Sequence, residues 1–448
     1  MRLCLYTSNK PHYFHLTGAD KYQLPLQGSQ QLKSHLLLLL QRGIEGVKCK
    51  NLSRCKLELM NKKISILLNL AHALDHLFLL IFATAVLKVS HDLGVKRWED
   101  LMPYASGMFF LFGIASYPAG KLAELWGRRQ MMLIFFAGLS GAGLIVALSQ
   151  TPLQLAIGLA LIGLFASIYH PVGIPMLLQN TNKPGLVIGI NGLIGNFGVA
   201  IASILTSFLV AKWGWRTAFI GPAVIAAILG LAFAIFSSKV TATPVQLKLN
   251  QQNNSNNSVK QVFLIMTITS ATGSLLFNFT TNGNTQVLTE RLSTILNNPT
   301  QIGSLLFVVY LMASFSQLAV GKLLDKVNLK KLYWWIVALQ IPILILATHA
   351  SGWFFYLILV ALMIFIFGAI PFTDAILTHY VNDSMRSRVM GMRLAVSFSI
   401  SSIAVWLLGP LVKAGGFTSL FMIMAGIALI TLMAISFLPS DHNKLNHN

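Results

Sequence analysis

The chain has 448 residues, of which 55% are hydrophobic and only 10% charged. Soluble domains usually carry roughly 25% charged residues, so a water-soluble fold is excluded. The formal charge of +20 is spread over short connectors between apolar stretches and not gathered into a basic domain. That distribution argues against a nucleic-acid partner and leaves the charge to orient a membrane protein.

Residues 1–59 are polar and basic, and their longest apolar run, Leu36 to Leu40, is too short to span a bilayer. They lack the ordered regions of a signal peptide. Cys4, Cys49 and Cys55 all lie here and imply no disulfide framework. At Met60-Asn61-Lys62-Lys63 the sequence turns apolar, as polytopic bacterial membrane proteins often begin. The segment 1–59 is therefore expected to be a disordered tail or a non-native extension ahead of a start at Met60.

Apolar stretches long enough to cross a ~30 Å hydrocarbon core then recur to the end of the chain. Twelve spans are expected, at 64–88, 101–122, 130–149, 152–178, 184–211, 215–237, 261–288, 298–322, 330–350, 353–379, 387–412 and 416–438. This gives an all-α membrane protein with one six-helix bundle over 60–237 and a second over 261–439. The polar run Gln251 to Ser258 marks 238–260 as a linker, and 440–448 form a short tail. Basic residues favour the loops on the side of the termini, although Lys96, Arg97, Lys212 and Arg216 lie opposite. Both termini are thus expected in the cytoplasm.

Two matches at nearly one spacing point to a duplicated unit. Gly120-Lys121-Leu122-Ala123-Glu124-Leu125-Trp126-Gly127-Arg128-Arg129 is followed 201 residues later by Gly321-Lys322-Leu323-Leu324-Asp325-Lys326-Val327-Asn328-Leu329-Lys330-Lys331. Trp213-Gly214-Trp215-Arg216-Thr217 parallels Gly415-Gly416-Phe417-Thr418-Ser419 at an offset of 202. A six-helix repeat is the arrangement with which transporters alternate access around a midplane site.

In the first span, Asn69, His72, Asp75 and His76 lie at about +60°, 0°, −60° and +40° around the helix and share one face. Asp75 is eleven residues beyond Ile64, or ~17 Å along the axis, near the bilayer midplane. A carboxylate there costs about 2.5–3.5 kcal/mol on insertion scales, a cost that uptake of a proton relieves. Asp75 is the expected proton carrier, with His76 tuning it and His72 relaying the proton; a hydrogen-bonded structural cluster is the alternative. A metal held by His72 and His76 has too few ligands to be expected.

The fourth span ends in Ser167-Ile168-Tyr169-His170-Pro171, where Pro171 should kink the helix and set Tyr169 and His170 on a cavity. Asn278, Thr280, Thr281, Asn282, Asn284 and Gln286 make the seventh span polar, as in a helix that is broken or lines a cavity. For Asn284 and Gln286 an outer helix end that has reached water serves equally well. Asp374 and Arg393 are opposite charges in the tenth and eleventh spans, either a structural ion pair or an anchor for an anionic solute.

The run from Gly120 to Arg129 resembles the signature loop of the major facilitator superfamily. That resemblance implies a cytoplasmic latch built from Gly120, Glu124, Gly127, Arg128 and Arg129, with Gly321, Asp325, Lys326 and Lys330 in the second copy. The sequence departs from the pattern with Glu124 for Asp, Leu125 for a basic residue and Asn328 for Gly. A basic inner loop that only sets topology is the alternative. With the His and Asp face, the His170-Pro171 element looks like the fosmidomycin-resistance branch, over residues 60–220 well and over the second half poorly. Members of that branch resemble proton-driven exporters. The fourth span has no Arg, and the fifth, with Gly189, Gly192, Gly195 and Gly198, lacks the drug antiporters' Pro; its glycines otherwise permit close helix packing.

The expectation is a monomeric secondary transporter in a bacterial inner membrane, exporting a small organic solute with protons and needing no cofactor or metal. Proton-coupled uptake, an intramembrane enzyme and a solute sensor are the alternatives. No nucleotide-binding Gly-rich loop follows a strand to suggest ATP as the driving force, and Asp75, His72 and His76 make only a partial catalytic set.

Overall fold

The computed structural model describes residues 5–7, 10–12, 52–179, 181, 184–237, 256–324, 326–380 and 383–439. The segments 5–7 and 10–12 pair as a small antiparallel hairpin with Leu5 opposite His12. From Met60 onward the chain forms a separate compact unit, and among its described residues every regular element is helical, because a bilayer offers no water to the backbone polar groups.

Among the described residues, ten helices of this unit are long and apolar enough to cross a membrane. An eleventh span is made in pieces, Ser106–Ile114 and Ser116–Trp126, joined through Ala115 at φ −78° and ψ −12°. A twelfth appears because the helix Asp383–Ser436 is divided at Gly416, where φ is 67°. Each of the twelve falls on an expected stretch.

The two halves pair their helices alike. The third span (Arg128–Leu148) packs on the fourth and sixth, and the ninth (Leu329–His349) on the tenth and twelfth; the second meets the fourth as the eighth meets the tenth. The repeat offset also reappears in specific bonds. Arg129 donates to Ala234 O and Ser237 Oγ, both at 3.1 Å, at the end of the sixth span. Lys330 donates to Ser436 O and Leu438 O, both at 2.7 Å, at the end of the twelfth. In each half a cation satisfies the carbonyls that a helix C-terminus leaves bare. Gly214 and Gly416 both take positive φ at equivalent turns of the two halves. Where Gly127 turns at φ 93°, Asn328 stays at φ −57° and caps the ninth span, its Oδ1 accepting from Lys331 N–H at 3.0 Å. That is how the second copy dispenses with its glycine.

Contacts between the halves gather at the end that carries residues 93–101 and 412–416. Lys413 pairs there with Asp100 and Trp98 stacks on Phe417 at 6.2 Å, while Gln286 Nε2 donates to Ala83 O. A Cβ at Gly409 would overlap Glu99 O, and one at Gly303 would overlap Ser203 O and Ser207. At the opposite end, Ser116–Trp126 packs on the third span and on the turn 169–173, and Ile370–Tyr380 packs on spans of its own half.

Candidate functional site

A cavity of about 250 Å³ lies between the halves. One wall is aromatic, with Phe109 and Phe112 from the second span and Phe398 from the eleventh, the Phe112 and Phe398 rings 4.5 Å apart. The other is a ribbon of neutral polar groups from the seventh span, Ser270, Ser274, Asn278, Thr281 and Asn282, with Ser397 and Ser401 beside it. Asn278 Nδ2 donates to Ser274 O and Ser401 Oγ, each at 2.9 Å, which ties the seventh span to the eleventh. His76 reaches this cavity from the first span.

Behind His76 lies a buried polar cluster. His72 Nδ1 is 2.8 Å from Asn191 O, an acceptor, so the ring carries its hydrogen on Nδ1. Its Nε2 lone pair then accepts from His76 Nε2–H at 3.0 Å. Tyr169 stacks on His72 at 4.7 Å and 16°. Asn191 Nδ2 donates to Tyr169 Oη at 2.7 Å and to Asn69 Oδ1 at 3.0 Å, and Asn69 in turn donates to Ser65 O. One asparagine of the fifth span thus binds the first and fourth spans together. Gly195, which faces the His72 ring, and Gly198, against Ala73 O, let the fifth span come this close.

Asp75 is fully buried, and neither carboxylate oxygen has a hydrogen-bond partner. The imidazole set against it is His170, with Nε2 3.8 Å from Oδ2. Pro171 places that ring: residues 169–173 form a single wide π-turn, the expected break, and His170 comes off it to face His72 at 5.2 Å and His76 at 5.9 Å.

Other expectations fare differently. The seventh span is continuous from Asn256 to Arg291 and is not a broken helix. Asn284 and Gln286 have not reached water: both are buried, Asn284 Nδ2 donating to Tyr310 Oη and Gln286 bridging to the first span. Glu124 is exposed, and among the described residues no ion pair joins it to Arg128 or Arg129. Arg129 and Lys330 are engaged as helix caps within their own halves, Lys326 is exposed, and the Cβ positions of Gly120 and Gly321 have room. Asp325 lies outside the described residues, as do the side chains of Asp374 and Arg393.

The sequence reading missed Asn191, which with Asn196 is one of two amides in a glycine-rich apolar helix, itself a signal. It also missed Pro371, which follows Pro171 by 200 residues at the corresponding break, where one helix ends at Gly368 and the next begins at Ile370.

Residues 68–289 and 263–448 match the family model described as "Major Facilitator Superfamily". The putative uncharacterized transporter YgaY of Escherichia coli (strain K12) is 31% identical over 133 residues, covering 29% of this chain and 31% of that one. The chain thus spans less than a third of the length of that relative. The multidrug resistance protein MdtG of Klebsiella pneumoniae (strain 342) is 24% identical over 355 residues, 77% of this chain and 84% of that one. A crystal structure of a D-xylose–proton symporter superposes with a TM-score of 0.69 at 14% identity, over 84% of this chain and 98% of the symporter. That likeness is one of fold.

Proposed function

Since the chain belongs to the major facilitator superfamily, we propose that it exports a small organic solute by alternating access, driven by protons. It is a multi-pass membrane transporter; the coupling ion and the direction are the proposed part. The observation that carries the coupling is Asp75, fully buried near mid-depth with neither oxygen hydrogen-bonded. A bare carboxylate in that position is stable only with a proton or a cation. His170 and His76 supply a route, since His170 lies against Asp75 and His76 opens onto the solute cavity. His72, held by Asn191, fixes His76 in place.

The cavity supports an amphipathic solute, with rings against Phe112 and Phe398 and polar groups toward Ser274, Asn278 and Ser401. The name of the MdtG relative, a multidrug resistance protein, supports export of drug-like compounds. The His170-Pro171 element and the face of His72 and Asp75 keep the fosmidomycin-resistance branch as the proposed place within the family. The end bearing residues 120–129 is proposed to be cytoplasmic, with both termini on that side, so that the described state is closed outward and its cavity belongs to the inward-facing phase.

The test is proton movement in proteoliposomes with a trapped pH dye, screened against amphipathic antibiotics and dyes. Protons should move only when a transported compound is added, and opposite to it. Solute flux that neither moves protons nor answers to an imposed pH gradient would contradict the coupling.

A further inference from the structure

We propose that His72, His76 and His170 form a binding site for a borderline divalent transition cation of the Zn2+ class, with Asp75 as the carboxylate that neutralises it. The proposal goes beyond the transport reading, which holds whether or not a metal binds. One nitrogen from each of the three imidazoles lies within 4.8 Å of the others, and His72 Nε2 and His76 Nε2 are already 3.0 Å apart. Tetrahedral zinc with Zn–N of about 2.0–2.1 Å needs ligand nitrogens about 3.3 Å apart, so small ring rotations suffice.

Three further observations point to a cation. First, His72 gives its Nδ1–H to the backbone carbonyl of Asn191 at 2.8 Å, the outer contact that orients a metal-binding imidazole and aims its Nε2 lone pair into the cluster. Second, Asp75 lies 3.8 Å from His170 Nε2, fully buried and with both oxygens unpartnered, so it can offset the charge of an ion as a fourth ligand or from just outside the ligand shell. Third, His76 lines the cavity, which gives an ion a way in. All the ligands come from the first and fourth spans, within one half, so the site does not depend on closure of the transporter. Binding needs no net proton change on the rings: the hydrogen on His76 Nε2 moves to Nδ1 of the same ring, freeing Nε2. Imidazoles favour zinc, copper, nickel and cobalt over magnesium and calcium.

The sequence offered only His72 and His76 at one helical turn's spacing; the π-turn at 169–173 adds the third nitrogen. A bound ion occupies the groups proposed to carry protons, so it should also slow transport.

The test uses the full chain, without a polyhistidine tag, stripped with chelator and titrated with Co2+ at fixed pH. The wild type should show the visible absorption of four-coordinate Co2+, reversed by Zn2+, and His170→Ala should bind one equivalent fewer. Asp75→Asn should weaken Zn2+ binding by about 10–100-fold. X-ray absorption of the Zn2+-loaded wild type requires no variant to fold, and should give nitrogen or oxygen neighbours at about 2.0–2.1 Å. Equal stoichiometry in wild type and His170→Ala would overturn the proposal, as would sulfur neighbours, which would place the ion on Cys4, Cys49 or Cys55.

Discussion

Replacing Gly409 with Ala should drive the protein out of the conformation described here. The alanine Cβ would overlap the backbone oxygen of Glu99 and sit 3.2 Å from Met102 Cβ, where the eleventh span of one half meets the short turns that lead into the second span of the other. Neither neighbour is the far end of a flexible side chain, so the strain has no easy outlet. Overpacking of this kind costs about 1–3 kcal/mol. The contact joins the halves, so most of that penalty is borne only while this end is closed. The equilibrium should therefore move by about 5–150-fold toward the state in which this end opens. Gly303→Ala, against Ser203 and Ser207, should push the same way, and the two should multiply because they involve different helix pairs. Spin-label distances across each end of the bundle, in a variant lacking Cys4, Cys49 and Cys55, read the two populations directly. A folded Gly409→Ala protein with unchanged distances at both ends would refute the reasoning, and a shift toward tighter closure would reverse it.

Asn191→Leu should lower stability by about 1–3 kcal/mol, because Tyr169 Oη and Asn69 Oδ1 lose a buried donor; thermal unfolding in detergent reads it. Arg129→Gln and Lys330→Gln should each cost up to about 2 kcal/mol by removing a cation from a helix C-terminus, with additive effects in the same melts. A chain started at Met60 should insert and transport as the full chain does, since the spans and cavity all lie beyond it; loss of activity in the same liposome assay would show that residues 1–59 matter.

Much of the fold was legible because a bilayer leaves the sequence few options. Continuous apolar stretches must be helices, and even the interrupted second span and the turn at Gly416 fall where composition places them. The duplicated loops likewise became matched structural contacts, though Arg129 and Lys330 cap helices where a latch was expected. What sequence periodicity cannot supply is the rotation of one helix against another. It put Asn69, His72, Asp75 and His76 on one face, yet the imidazole set against the Asp75 carboxylate is that of His170, from a turn whose direction depends on the π-geometry around Pro171. For the same reason Asn284 and Gln286, whose positions suit a helix end in water, are buried against Tyr310 and the first span. Asn191 was obscured by the glycines around it, although those glycines are what bring it within reach of His72.

The central claim is that Asp75 carries the coupling proton, and the most direct measurement compares wild type and Asp75→Asn in proteoliposomes loaded with a transported compound. With a pH gradient imposed, the wild type should move the compound against its concentration gradient, while Asp75→Asn should fail to do so yet still exchange it across the membrane at equal concentrations. An Asp75→Asn protein that concentrates the compound under the same gradient would contradict the account and assign the buried carboxylate to structure alone.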